Sequence, residues 1–171
     1  TYALEGSIFV AGAVVQWLRD GLKMIRDANE TQALAESADP AQNVILVPAF
    51  VGLGAPYWLA DARGSITGLS FAATRAHIVR AALESIGHVF HDLGAAFAAD
   101  GAGWSLLRLD GGMGANNWLV QDIANMLDIR CERPADVETT ARGAAILAAI
   151  GLGQYAGLAA ARGMIAPRDV F

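Results

Sequence analysis

The residues with the clearest chemical potential lie in a glycine-rich turn, Asp110-Gly111-Gly112-Met113-Gly114-Ala115-Asn116-Asn117. The turn follows an apolar run, 105–109, that predicts a buried strand, and precedes a helical pattern that starts near Trp118. Such a turn lets backbone N–H groups approach an anion, and the helix N-terminus adds a partial positive charge. Asn116 offers an acceptor and donors that suit an adenine or ribose edge. A ligand-free tight turn with Asn116 as helix N-cap fits equally well, so both alternatives stay open.

A weaker signal of the same kind stands near the beginning of the chain. Gly12 lies where a predicted strand meets a predicted helix, and Gln16 follows one turn later on a similar face. A backbone N–H at Gly12 and the Gln16 amide can contact a phosphate, although glycine near a helix start is ordinary. Residues 139–145 combine threonines with small residues, which favours a structural helix contact over a ligand contact.

The histidines and the cysteine favour structural roles. His88 and His91 are three residues apart on one predicted helix, and a metal site would need further ligands from elsewhere. We therefore expect solvated histidines on the helix surface. Cys131 is the single cysteine, which excludes an internal disulfide, fits a reducing compartment and predicts a buried, inert thiol. Arg80 and Glu84 are four residues apart and are expected to form an ion pair.

Strands that alternate with helices predict an α/β layer structure for the whole chain. Strand patterns cover residues 2–10, 43–50, 65–69, 105–109 and 129–133, and helical patterns cover residues 11–27, part of 28–42, 75–99, 118–127 and 141–150. Thr74 is the predicted N-cap of the longest helix, and Asp100-Gly101 is its predicted stop. Residues 51–64 read as a loop, and the tail from residue 153 reads as loop and a short helix.

Composition narrows the class of protein. The chain has 171 residues, of which 54% are hydrophobic, so it can bury a sizeable core as one domain. The formal net charge of −5 argues against nucleic-acid binding, which needs a basic face. The longest apolar stretch, Gly143–Gly153, is too short to span a membrane and predicts a buried helix.

Several short segments, taken together, carry a more specific signal. They are residues 2–7, 17–20, 50–58, 62–64, 77–80, 83–86, 110–117 and 139–145. In order and spacing they resemble the C-terminal half of the FGGY carbohydrate kinase family, from residue 2 to about residue 150. The run Gly52-Leu53-Gly54-Ala55-Pro56-Tyr57-Trp58 favours the glycerol-phosphorylating members over the pentulose and gluconate kinases.

The resemblance implies a ribonuclease H-like (actin-like ATPase) domain, with a mixed sheet flanked by helices and its N-terminal strands missing from this chain. In the family, ATP and substrate bind between two such domains. By resemblance, Gly12 and Gln16 match positions that contact the ATP phosphates, and Gly112 and Asn116 match positions that hold the adenosine. The implied reaction is Mg²⁺-dependent transfer of the ATP γ-phosphoryl group to a glycerol hydroxyl.

The resemblance also limits what residues 1–171 do by themselves. The family's catalytic Asp, its polyol-binding residues and its Mg²⁺-binding Asp correspond to positions ahead of residue 1. We therefore expect an ATP-binding domain without catalytic or metal-binding residues of its own, in which glycerol is bound by an N-terminal domain. A cytoplasmic enzyme that forms a homo-oligomer is expected for the longer protein. Another FGGY sugar kinase, or a non-catalytic binding module derived from a kinase, remains an alternative.

Overall fold

Helices and strands alternate through the computed structural model, which describes residues 3–135, 138–161 and 167–171. The helices are α1 (Gly12–Gln16), α2 (Glu30–Ser37), α3 (Arg75–Ala99), α4 (Asn117–Leu127), α5 (Thr139–Gly151) and α6 (Leu158–Ala161). The strands are β1 (Ile45–Val47), β2 (Ser65–Thr67), β3 (Leu106–Arg108), β4 (Arg130–Pro134) and β5 (Pro167–Val170). A π-helical turn at Trp17–Gly21 follows α1, and a 3₁₀ turn at Gly112–Ala115 precedes α4. The α/β class predicted from the sequence is confirmed.

The long helix α3 begins and ends where its sequence predicts. Thr74 is the N-cap, and its backbone N–H donates to His77 Nδ1 at 2.9 Å. The helix stops at Asp100, and Gly101 then adopts a φ of 77°, in the left-handed region that glycine tolerates. His77 is buried in this cap, unlike His88 and His91, which are exposed as expected.

The hydrophobic core forms around α3, which packs against α2, α4 and β1. Full burial of one such side chain, for example Leu83, stabilises the fold by about 2 kcal/mol. The buried core residues are Val10, Val14, Val15, Leu18, Ile25, Ala35, Val44, Leu46, Val79, Ala81, Ala82, Leu83, Ile86, Leu119, Val120, Ile123, Ala124 and Cys131. Among the described helices, none combines the length and apolar character that a membrane crossing requires.

Two small sheets flank the helices. Strands β1 and β2 form an antiparallel pair in which Leu46 faces Ile66. In the second sheet β4 lies in the centre, parallel to β3 and antiparallel to β5. Cys131 lies on β4 and is fully buried, as expected, and this burial raises the pKa of its thiol. The second sheet is therefore mixed, and the glycine-rich turn leaves it at the end of β3.

The predicted strand at residues 2–10 is wrong for its described part. Residues 3–10 form no strand, and the Ala55 N–H that donates to the Ser7 carbonyl at 3.0 Å is a single contact, not a ladder. A β pattern becomes a strand only where a neighbouring strand pairs with it. The predicted helix at 11–27 is also too long, because Lys23 takes a left-handed φ of 56° and ends it.

The C-terminal tail from residue 153 is predicted as loop and a short helix, and the structure shows turns and bends over 152–157 followed by helix α6. The prediction is wrong for residues 167–170, which form β5 and pair with β4. The pairing continues to the last residue, since the Cys131 and Phe171 backbones exchange hydrogen bonds of 3.1 and 2.9 Å. A four-residue strand with a proline carries little local pattern, so the partner strand decides its structure.

Candidate functional site

The two glycine-containing turns singled out in the sequence lie side by side. Gly12 is the first residue of α1, and a Cβ placed on it would lie 3.4 Å from Met113 Cγ in the 3₁₀ turn. Gly111 has a φ of 80°, which only glycine adopts easily. A Cβ placed on Gly112 would meet nothing within 4 Å beyond its chain neighbours. The face of the turn above Gly112 is therefore open to a ligand.

Asn116 both caps α4 and links the turn to α2. Its side-chain oxygen accepts from the Leu119 N–H at 3.0 Å, and its amide nitrogen donates to Thr31 Oγ1 at 3.0 Å. Thr31 is only 1% exposed and donates in turn to the Ala28 carbonyl at 2.6 Å. The capping alternative is thus confirmed for Asn116. One amide N–H and one oxygen lone pair remain for a ligand, so capping and binding are compatible.

A small cavity of about 70 Å³ separates the 3₁₀ turn from the start of α2. Thr31 and Gln32 line it from α2, and Gly112 and Asn116 line it from the other side. Gln32 also accepts a hydrogen bond from the Asn117 N–H at 3.2 Å. A cavity of this size admits the edge of a ring or a ribose, while the remainder of a larger ligand would stay outside.

The structure places the other predicted residues less close to this cavity. Gln16 is exposed at the end of α1 and does not line the cavity, whereas Gly12 touches the turn through Met113. Thr139, at the start of α5, donates from Oγ1 to Asp110 Oδ2. That contact ties α5 to the first residue of the turn. The close helix packing predicted for the small residues of this segment is wrong, because a Cβ on Gly143 would meet nothing within 4 Å and Ala144 and Ala145 are exposed.

A separate polar cavity of about 300 Å³ lies where α3, α4 and the start of β1 meet. Arg80 Nε donates to Glu84 Oε1 at 2.7 Å, which confirms the predicted pair. Asp122 Oδ2 is buried without a hydrogen-bond partner, and lies 2.7 Å from where a Cβ on Gly87 would stand. Burial and, second, the Glu84 charge raise the pKa of Asp122 to about 6.

Among the described residues, no group of three or more His, Cys, Asp or Glu is placed to hold a metal ion.

Comparison with known proteins identifies the family of this chain. Residues 1–152 match the model of the C-terminal domain of the FGGY family of carbohydrate kinases. The chain belongs to the FGGY family. Curated relatives include the glycerol kinases of Roseobacter denitrificans, 58% identical over 161 residues, and Rhodospirillum centenum, 56% identical over 154 residues. These matches cover 92% and 90% of this FGGY chain but only 32% and 31% of the relatives, so the chain spans about a third of their length.

Solved structures of FGGY kinases share the fold. The glycerol kinase of Plasmodium falciparum, solved with ADP, superposes with a TM-score of 0.88 at 37% identity, over 99% of this chain and 34% of that one. The xylulose kinase of Rhodospirillum rubrum superposes with a TM-score of 0.77 at 26% identity, over 96% of this chain and 34% of that one. The resemblance stated from the sequence motifs is therefore confirmed, and so is the expected fold class.

Three residues at the turn of this FGGY domain carried no signal in the sequence. Thr31 and Gln32 precede the turn by about 85 residues and contact it only through tertiary packing. Arg133 lies on β4 and donates from Nη1 to the Gly114 carbonyl at 2.8 Å. Helical and strand periodicity, which depend on residues near each other in the chain, cannot predict these contacts because each joins elements that are distant in the chain.

Proposed function

We propose that this chain is the nucleotide-binding part of an ATP-dependent glycerol kinase. The observation that carries the proposal is the identity of 52–58% to curated glycerol kinases, against 23–26% to the xylulose and gluconate kinases among the structural neighbours. This difference disfavours the other sugar kinases as alternatives. The ADP in the related Plasmodium falciparum structure supports nucleotide as the ligand.

Within this proposal the open turn holds the adenosine end of the nucleotide. Gly112 leaves room for the ring or ribose, and the free N–H and lone pair of Asn116 supply its hydrogen bonds. Gly12 and Gln16, at the two ends of α1, are proposed phosphate contacts. Gly12 is already adjacent to the turn, whereas the exposed Gln16 side chain must turn toward a bound phosphate chain.

The reaction proposed for the longer protein is phosphoryl transfer. A glycerol hydroxyl oxygen bonds to the γ-phosphorus of ATP while the bond to the β–γ bridging oxygen breaks, so that sn-glycerol 3-phosphate and ADP form. The hydroxyl proton passes to a carboxylate. Asp110, the carboxylate of the turn, is engaged by Thr139, and we assign it no such role. We assign the metal no ligand among residues 1–171, because the family's Mg²⁺-binding Asp corresponds to a position ahead of residue 1.

Other expectations stand as proposals of the same kind. Residues 1–171 form one nucleotide-binding domain, glycerol binds to an N-terminal domain of the longer protein, and that protein assembles as a homo-oligomer. A reducing, cytoplasmic setting suits Cys131, whose thiol is buried and unpaired with another cysteine.

Calorimetric titration of the 171-residue chain with ADP tests the proposal. We expect weak binding, in the micromolar to millimolar range, and no phosphorylation of glycerol. Gly112→Val should weaken ADP binding at least about tenfold, because its side chain fills the open face of the turn. Gly151→Val is the matched control, since a Cβ at Gly151 also meets nothing within 4 Å but lies at the end of α5. Nanomolar affinity, glycerol kinase turnover by this chain, or equal effects of the two substitutions would contradict the proposal.

A further inference from the structure

Arg133 joins the nucleotide turn to the C-terminal strand. Its guanidinium donates from Nη1 to the Gly114 carbonyl at 2.8 Å and from Nη2 to the Asp169 carboxylate. The guanidinium carbon also lies 5.2 Å from the centroid of the Phe171 ring. The Arg133 side chain is only 12% exposed, whereas that of Asp169 is 35% exposed. The contact with the buried Gly114 is therefore the better shielded of the two hydrogen bonds and is stronger than a surface contact.

The carbonyl that Arg133 holds is part of the 3₁₀ turn itself. Inside the turn, the Gly114 N–H donates to Gly111 and the Asn116 N–H donates to Met113, at 2.9 and 3.2 Å. The Gly114 carbonyl has its partner outside the turn, in Arg133. Three glycines make this segment intrinsically loose. An external hydrogen bond at its centre therefore restricts the backbone on both sides, at Gly112 and at Asn116.

Strand β5 supplies the groups that orient the Arg133 side chain. Arg133 and Asp169 stand directly opposite each other in the antiparallel β4–β5 pair, and Phe171 follows at the end of the chain. Such cross-strand neighbours lie close enough to interact. The family model ends at residue 152, so β5 lies outside the segment that identifies the family.

We propose that Arg133 is a positioning residue for nucleotide binding, held in place by Asp169 and Phe171 of β5 and acting through the Gly114 carbonyl. The inference rests on the proposed nucleotide site at this turn. Its consequence is that the C-terminal strand, distant in sequence, sets the affinity of the site without touching the ligand.

Two other arginines of the same sheet provide controls, because their loss affects the stability of the sheet without affecting the turn. Arg130 Nη2 and Arg108 Nε each lie within 3.0 Å of a Glu132 carboxylate oxygen. Both of these ion pairs are with Glu132 and not with the turn. Arg130→Gln therefore removes an ion pair from β4 as Arg133→Gln does, but leaves the Gly114 carbonyl bonded.

The experiment compares Arg133→Gln, Asp169→Asn and the control Arg130→Gln in the 171-residue chain. Each variant is titrated with ADP by calorimetry well below its melting temperature, and hydrogen exchange is measured for the amides of residues 112–116. We expect Arg133→Gln to weaken ADP binding roughly tenfold, as the loss of one hydrogen bond to a charged group implies, and to accelerate exchange in the turn. Asp169→Asn should shift both quantities in the same direction by less, and Arg130→Gln should shift neither.

The two readouts distinguish a positioning role of Arg133 from a purely structural one. Melting temperatures that fall for Arg133→Gln, with ADP affinity and exchange of the turn unchanged, would overturn the proposal and leave Arg133 a purely structural residue. If Arg133→Gln does not fold, Asp169→Asn decides by the same two readouts. If the unsubstituted chain binds no ADP, the proposed function fails, whereas exchange at residues 112–116 still shows whether Arg133 fixes the turn.

Discussion

Replacing Asp122 by asparagine is expected to stabilise the folded chain at neutral pH. The Asp122 carboxylate faces α3 at Gly87, with Oδ2 buried and without a partner. Burial and the neighbouring Glu84 raise its pKa from 3.8 to about 6, while His88 and Arg80 oppose the rise. Above pH 6 the charged, partly buried carboxylate therefore lowers the unfolding free energy. An uncharged amide of the same size avoids the cost of burying that charge.

The size of the effect follows from the displaced pKa. About 1.4 kcal/mol per pH unit gives an upper bound near 3 kcal/mol, and partial solvation of Asp122 reduces it to about 1–2 kcal/mol. Because the folded-state pKa of this acid is raised, the penalty is absent below pH 3.8, grows between pH 3.8 and 6, and is constant above. The gain from Asp122→Asn should follow the same course.

Urea unfolding at several pH values measures this gain. We expect the unfolding free energy of Asp122→Asn to exceed that of the unsubstituted chain at pH 7.5, and the difference to close as the pH falls toward 4. Asp61→Asn, at an exposed position, is the control and should change little at either pH. A gain that is absent at pH 7.5, or equal at pH 4 and 7.5, would refute the reasoning.

Three further substitutions or treatments give distinct expectations. Gly52→Ala should lower the unfolding free energy by about 1–3 kcal/mol, because Gly52 has a φ of 88° and its Cβ would stand 2.8 Å from the backbone oxygen of Leu59; an unchanged urea midpoint would contradict this. Thr31→Val should cost about 1–3 kcal/mol, since it removes a buried hydroxyl and leaves the Asn116 amide without its acceptor. Cys131 should react with a thiol reagent at pH 8 only after unfolding in urea, because burial shields it and raises its pKa; rapid reaction of the native chain would show that the strand opens.

Local signals account for the elements that the sequence predicts well. In α3 the threonine cap, the helical period and the Asp100-Gly101 stop all lie within the segment itself. The N-cap of α4 is equally local, because Asn116 accepts a hydrogen bond from the Leu119 N–H three residues later. Capping and periodicity are short-range effects, so a single sequence contains them in full.

Strands and site partners depend on neighbours that are distant in the chain. Residues 3–10 have a strand-like composition yet lack a ladder, whereas 167–170 have a weak pattern yet pair with β4. The glycines of the turn could be found because a strained or open backbone needs them locally. Thr31 and Arg133 could not, because only the folded arrangement brings them to the turn.

The backbone pairing between β4 and β5 has a consequence for solubility. With Phe171 and Cys131 hydrogen-bonded across the pair, β5 covers one side of the central strand of its sheet. A chain shortened to residues 1–152 would bare that side of β4 as an unpaired edge, and exposed edges of this kind template strand addition between molecules. We therefore expect the shortened chain to self-associate more readily than the 171-residue chain, because the edge that β5 presents is short, begins with a proline and carries charged residues.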